Sequence, residues 1–265
     1  MSVQKSNMLA GKKALIMGVA NSHSIAWGIA KELKAHGAEL AFTYLGDPIL
    51  KRLKPLAEEM GSNILIDCNV SDEGSLDKAF AELKTHWGEF DMLVHAIAYS
   101  DKEELKGAYV DTSLDNFMNT MHVSCFSFTS VMRRAKDMMP VGGSAITLSY
   151  YGAQKVMPFY NVMGVAKAAL EASTRYLAAD LGPEYGIRVN AVSAGPMRTL
   201  AGSAIGGARH TYNHNIETAP LRRAVTLEEL GGTAVYLLSD MGGAVTGETH
   251  FVDCGFNVVG MKKVE

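Results

Sequence analysis

The sequence predicts an α/β fold: one doubly wound domain over residues 1–265, with a seven-stranded parallel sheet, helices on both faces and a small lid. Three observations predict it. Short apolar runs alternate with helix-length segments from Lys12 to Asp253, as successive strand–helix units do in a parallel sheet. The first unit turns through the small residues of Gly18–Ser24, the kind of strand-to-helix turn whose backbone N–H groups receive an anion. No linker, charge block or low-complexity run divides the chain, so its length is assigned to one large domain.

Composition narrows the function classes. Hydrophobic residues make up 48% and charged residues 20%, enough to bury a substantial core. A net charge of −3 points away from nucleic acid and from an anionic membrane surface. Cys68, Cys125 and Cys254 are far apart, with no C-x-x-C, which argues for a reducing compartment and against a disulfide framework or a cysteine zinc site. The stretch Met1–Met8 lacks the apolar centre of a signal peptide. No run approaches the ~18 apolar residues of a membrane span. The expectation is a soluble cytoplasmic protein with no nucleic-acid partner and no membrane insertion.

The elements follow in order. Lys12–Met17 is a short strand, and Ile25–Leu33 a helix pattern after the Gly18–Ser24 turn. Only Gly18 and Gly28 of a glycine-rich fingerprint are present, with Ala20 and Ser24 between them. Ala38–Tyr44 is the second strand, and a helix from Asp47-Pro48 through Met60 follows, with Pro48 suited to a first turn. At Tyr44-Leu45-Gly46 neither an acid for a ribose nor a base for a 2′-phosphate stands at the strand end. That leans toward NADH and leaves NADPH open, with Lys51 and Arg52 nearby. Asn63–Val70 is the third strand, and Ser71 or Asp72 caps a helix over Glu73–Trp87. Asp91–Ile97 is the fourth strand, followed by a mixed stretch, Ala98–Thr112, and a helix from Leu114 through Met132. Ser144–Ser149 is the fifth strand and Tyr160–Leu181 the helix after it. Gly186–Val192 is the sixth strand, Glu228–Ser239 a late helix and Thr249–Asp253 the seventh strand. Met197–Glu217 has no clean periodicity and contains Gly202, Gly206 and Gly207, which predicts a mobile lid over residues 197–217.

The chemistry gathers at Ser149–Lys167, just after the fifth strand, where open α/β sheets place their ligands. Tyr160 and Lys167 are seven residues apart, close to two helical turns, so a helix through both would show them on one face. A nearby ammonium favours an ionised phenol, which would pull the Tyr160 pKa toward working pH.

The series Gly18…Ser24-Ile25, Cys68-Asn69-Val70, Tyr150, Tyr160-x6-Lys167, Ser193–Leu200 and Thr246–Asp253 resembles the NADH-dependent enoyl-acyl-carrier-protein reductases of bacterial type II fatty acid synthesis. These are divergent members of the short-chain dehydrogenase/reductase superfamily, with a Rossmann-type domain. The most specific feature is the spacing: ordinary superfamily members have Tyr-x3-Lys, whereas this chain has Gly164 at that position and its lysine at the seventh. The resemblance implies reduction of the C2–C3 double bond of a trans-2-enoyl thioester, the last step of the elongation cycle. It implies Tyr160, Lys167 and Tyr150 as catalytic residues, with Tyr160 on the thioester carbonyl oxygen. Lys167 would also hold the nicotinamide ribose. Gly18, Ala20, Ser24 and Ile25 would line the pyrophosphate turn, Asn69 and Val70 the adenine, and Ile97 the ribose. Met197, Arg198, Thr199, Leu200 and Ala201 would border the nicotinamide and its phosphates. Tyr99 and Ser100, with the two tyrosines, would face the substrate. The partners implied are acyl carrier protein and further copies of the chain in a homotetramer, with the helices around Leu114–Met132 and Tyr160–Leu181 at the interface.

The chain departs from the family pattern in places. Asn69 stands where Asp is common, Leu45 where a polar residue is common, and Cys254 where a glycine is common. The lid's basic cluster is reduced to Arg209 and His210. Two other readings stand beside this one. A ketone or ketoacyl reductase of the same superfamily would use Ser149 on a carbonyl oxygen, and a non-catalytic NAD(H)-binding sensor would keep the fold without the chemistry. His210 and His214, four apart, could bracket a metal but have no third ligand nearby. His95 and His122 read as structural histidines or pocket walls. Met157, Met163 and Met197 suit either an acyl pocket or ordinary core.

Overall fold

The computed structural model describes residues 5–203 and 206–262, with Ala201 and Ser203 described in their backbone only. Seven strands form one parallel sheet: β1 Lys13–Met17, β2 Glu39–Tyr44, β3 Leu65–Asp67, β4 Met92–His95, β5 Ser144–Ser149, β6 Arg188–Ala194 and β7 Thr249–Val252. Their order is β3-β2-β1-β4-β5-β6-β7, and every pairing is parallel. The chain therefore runs outward from β1 to β3, then crosses back to place β4 on the other side of β1. A crevice opens at such a switch point, outside the carboxyl ends of the strands.

Residues alternate along each strand, and the alternation builds two cores. Ala14 and Ile16 of β1 and Met92 and Val94 of β4 face one of them. It is closed by α1 (Ile25–Ala35), α2 (Gly46–Glu59) and α9 (Leu227–Leu238). Leu15, Met17 and Leu93 face the other, closed by α3 (Glu73–His86), α5 (Ser127–Ala135) and α6 (Asn161–Tyr185). All six residues of β5 are buried, the hydroxyl residues Ser144, Thr147 and Ser149 included, and the strand matches its expected bounds. Asp72 is the residue that caps α3, its carboxylate accepting from the N–H groups of Gly74 and Ser75. Thr226 and Glu229 close a reciprocal capping box at the start of α9.

Several expectations need correction. The third strand is only three residues long, so Asn69 and Val70 lie in the turn beyond it. The helix expected over Leu114–Met132 is two: α4 (Leu114–Met121) and α5, joined by a π turn over His122–Phe126. Apolar spacing does not register a change of one residue in the hydrogen-bond pattern. Helix α6 starts after Tyr160 and runs on to Tyr185, ended by Gly186 in the left-handed conformation, φ 65°. Much of the expected lid is helical, with α7 (Leu200–Ser203) and α8 (Ala208–Thr218). Helix α8 buries Asn215 and Thr218 and exposes Arg209, His210, Asn213 and His214, so no apolar stripe marks it in the sequence. Ala204 and Ile205, within the lid's span, lie outside the described residues.

Candidate active site

The switch point is tight. Gly18 has φ +101°, and a Cβ on it would lie 2.1 Å from the carbonyl oxygen of Ala96 at the end of β4. Any side chain there would push the ends of β1 and β4 apart. The Ser24 hydroxyl accepts from the N–H groups of Ala20 and Asn21, both at 3.0 Å, and so folds the turn onto itself. No side chain caps α1. Its first N–H groups keep their partial positive charge for an anion. Ile25 packs against the first core. A cavity of about 190 Å³ adjoins the turn, lined by His23, Met197, Arg198, Thr199, Tyr212 and Val225 among others.

At the end of β3 the Asn69 N–H donates to Ser75 Oγ, and its side-chain carbonyl accepts from Ser71 N. Val70 is buried in the second core. After β4, Ile97 packs on that same core. Ser124, from the π turn, holds Tyr99 on both sides: its hydroxyl accepts from Tyr99 N at 2.9 Å and donates to Tyr99 O at 3.0 Å. The Tyr99 ring is exposed. The Ser100 hydroxyl is taken up by neighbours, accepting from Thr120 Oγ1 at 2.8 Å and lying 3.4 Å from Asn116 Oδ1.

The tyrosines meet after β5. The rings of Tyr150 and Tyr160 pack edge to face, with centroids 5.0 Å apart. Tyr160 is 7% exposed, and neither hydroxyl hydrogen-bonds to another described residue. Lys167 is buried on α6 and donates to the carbonyl oxygen of Leu148 at 2.7 Å. These positions overturn two sequence expectations. Tyr160 precedes the first turn of α6, with φ −108° and ψ −27°, so helical periodicity does not set its direction relative to Lys167. Its phenol pKa moves up and not down: burial dominates, with Tyr150 and Glu171 adding to it. Taking the phenolate out of water penalises its charged form, and every neighbour that acts on it pushes the same way. Burial lowers the Lys167 pKa to about 8 and raises that of Tyr150 to about 12.

After β6 the chain crosses the same edge. Met197 packs on the first core, and the Arg198 guanidinium stacks over Tyr212 at 4.6 Å. Thr199 Oγ1 accepts from Gly202 N at 2.9 Å. Leu200 is exposed, and of Ala201 only the backbone is described. The parallel sheet thus brings the turns after β1, β3, β4, β5 and β6 to one edge, with the start of α6 beside them.

Sequence reasoning misses Ser124, Glu171, His23 and Tyr212. Glu171 has a signal, being an acid one turn after Lys167 on the helix face that also carries Leu170 and Thr174. His23 lies in the Gly18–Ser24 turn and Tyr212 in the 197–217 stretch, so the sequence marks their segments but not the residues themselves. Ser124 has no signal, because it reaches Tyr99 only through the fold. His95 is a satisfied structural histidine, fully buried, with Thr147 Oγ1 and Ser127 Oγ at 3.2 and 3.0 Å. The rings of His210 and His214 stack with centroids 6.3 Å apart, and no three metal-ligating side chains cluster among the described residues. None of the described helices is long and apolar enough to cross a membrane.

The sheet order, the glycine at the switch point and the Tyr–Lys pair beyond β5 define a Rossmann-type oxidoreductase of short-chain dehydrogenase/reductase character. The family described as Enoyl-(Acyl carrier protein) reductase matches residues 18–257. "Enoyl-[acyl-carrier-protein] reductase [NADH] 2" of Rhizobium meliloti (strain 1021) is 58% identical over 97% of this chain and 96% of its own. The crystal structure of FabI from Candidatus Liberibacter asiaticus superposes with a TM-score of 0.95 at 55% identity, covering 97% of this chain and 100% of that one. The enoyl-acyl-carrier-protein reductase of Anaplasma phagocytophilum, solved in complex with NAD, superposes with a TM-score of 0.94 at 54% identity over 100% of this chain and 98% of that one. The chain belongs to the enoyl-acyl-carrier-protein reductase family.

Proposed function

We propose that this chain reduces the C2–C3 double bond of trans-2-enoyl-acyl-carrier-protein thioesters with NADH, and that Tyr160 carries the polarising role. The observation that carries the assignment of roles is the buried Tyr160 phenol, which has no hydrogen-bond partner among the described residues and is held protonated by its surroundings. Such a group is a ready donor and a poor base.

The residues present fit a dinucleotide: the uncapped start of α1, the bare Gly18 and the cavity beside them lie along one edge. NADH, when bound, supplies the hydride to C3 of the substrate. The Tyr160 hydroxyl donates to the thioester carbonyl oxygen, where negative charge collects as C3 is reduced. A donor already in place stabilises that charge more than it stabilises the ground state. The enolate then takes a proton from water at C2 to leave the saturated thioester. Tyr150, edge-on to Tyr160, walls the thioester and helps to orient it. Lys167 binds the nicotinamide ribose hydroxyls. Gly18, Ala20, Ser24 and Ile25 hold the pyrophosphate side, Asn69 and Val70 the adenine, Ile97 the ribose, and Met197 to Ala201 the nicotinamide side. Tyr99 and Ser100 border the acyl chain, Ser100 through its backbone because its hydroxyl is already engaged.

Residues 197–217 act as the lid of a single catalytic domain, with Arg209 and His210 presenting the basic charge met by acyl carrier protein. The working form is a cytoplasmic homotetramer with α4, α5 and α6 at its interfaces. The ketone-reductase reading needs the Ser149 hydroxyl, which Glu171 holds at 2.6 Å.

The experiment is loss of reduced-nicotinamide absorbance with crotonyl-CoA or a longer enoyl thioester, run separately with NADH and NADPH. Consumption that depends on the enoyl substrate and favours NADH is expected. Consumption with acetoacetyl-CoA alone would move the assignment to the ketone reductase. No consumption in folded protein that binds NADH would leave the sensor.

A further inference from the structure

Tyr160 stands between two residues in left-handed backbone, Phe159 at φ 58° and Asn161 at φ 35°. Side chains other than glycine avoid this region, and asparagine tolerates it better than most. A turn of this kind persists only where its surroundings hold it. Two groups do so here.

On one side, the Asn161 amide Nδ2 reaches three carbonyl oxygens of a single turn: Gly107 at 2.6 Å, and Glu104 and Leu105 at 3.2 Å each. This ties the start of α6 to the stretch that follows β4. On the other side lies Gly152, in the short turn after Tyr150. A Cβ on Gly152 would sit 2.4 Å from Cδ1 and 2.7 Å from Cε1 of the Tyr160 ring, and 3.2 Å from Cδ1 of Tyr150. The first turn of α6 closes on the same spot, because a Cβ on Gly164 would lie 2.8 Å from the Gly152 carbonyl oxygen. The ring therefore occupies a slot that exists only because position 152 has no side chain.

We propose that Gly152 and Asn161 are positioning residues that seat the Tyr160 ring and aim its hydroxyl at the substrate carbonyl. The proposal rests on the reading that this hydroxyl meets the thioester oxygen. Gly152 acts by leaving room, and Asn161 acts by fixing the turn. A displacement of about 1 Å in a group that must meet a developing charge can lower turnover by as much as ~100-fold.

The test places Gly152→Ala and Asn161→Gly each in two backgrounds, the parent chain and Tyr160→Phe. Asn161→Gly keeps the left-handed backbone available and removes only the amide. Turnover of crotonyl-CoA with NADH and the Kd of NADH are measured for all variants. In the parent background each substitution is expected to lower kcat about tenfold or more, with the Kd of NADH changed less than about twofold. In the Tyr160→Phe background each should lower kcat by less than about twofold, since the hydroxyl being aimed is gone. Equal fold losses in both backgrounds overturn the seat and leave a packing role. A Tyr160→Phe enzyme that turns over like the parent refutes the reading of the phenol and removes the seat's purpose with it. That outcome is seen before either seat variant is made. If Gly152→Ala does not fold, Asn161→Gly carries the same comparison.

Discussion

Ser149 Oγ donates to Glu171 Oε1 across 2.6 Å, and both residues are buried. The same carboxylate accepts from Gln154 Nε2 at 3.3 Å through its other oxygen. A serine hydroxyl has one proton to give, and a buried carboxylate at this distance keeps it. Ser149 is thereby a structural donor, although it stands at the strand end where a carbonyl substrate would arrive.

Ser149→Ala should leave crotonyl-CoA turnover within about twofold of the parent and lower the unfolding free energy by about 1–3 kcal/mol, because Glu171 loses a partner in a dry place. Steady-state kinetics and urea unfolding read the two effects. A tenfold loss of kcat in the folded variant would show that the hydroxyl touches substrate after all.

The two tyrosines should separate. Tyr160→Phe is expected to lower kcat about 100-fold or more at unchanged Kd for NADH, the scale of losing one donor to a developing oxyanion. Tyr150→Phe should cost less than about tenfold with a short CoA thioester. Losses of equal size would mean that both phenols contact the carbonyl oxygen.

Lys167 is buried, and burial lowers its pKa to about 8. In the proposed role its ammonium is the form that would donate to ribose hydroxyls while still reaching Leu148 O. The Kd of NADH should therefore increase as pH rises through about 8, and Lys167→Met should bind more weakly at pH 7 without that dependence. Fluorescence titrations between pH 7 and 9 settle it, and a parent Kd flat across that range would count against the lysine's role.

His95 is buried as a neutral ring, with a pKa lowered to about 3 by burial first and by Lys167 second. Its folded-state pKa lies below the ordinary value of 6.5, so between the two the unfolded chain binds the extra proton. Stability from this group is present above 6.5 and is lost as pH falls toward 3, with a slope of up to ~1.4 kcal/mol per pH unit. His95→Gln should flatten the fall in unfolding free energy between pH 6 and 4. An unchanged slope would place the acid sensitivity elsewhere.

Part of the molecule is legible in its residues alone. The run Ser144–Ser149 is apolar enough to be a central strand, and it is one, to the residue. Gly18 predicts a tight turn, and the carbonyl of Ala96 behind it is why. Ser124 carries no such mark, because its hold on Tyr99 depends on a π turn that shifts the hydrogen-bond pattern without altering apolar spacing. The direction of the Tyr160 pKa is illegible for a related reason: the sequence displays a cation seven residues away but not how dry the ring's surroundings are.

The sequence by itself determined the seven strands with helices between them and the family. Periodicity and turn chemistry are local, and the parallel sheet sends every strand's carboxyl end to one edge. Only the tertiary structure decided where Tyr160 sits relative to its helix, that Ser149 is held by Glu171, and that Gly152 and Asn161 flank the phenol. Those facts depend on how the end of β5, the turn after it and the start of α6 pack against one another. They depend also on the loss of water around them, and burial sets both the pKa of a phenol and the strength of a carboxylate's grip.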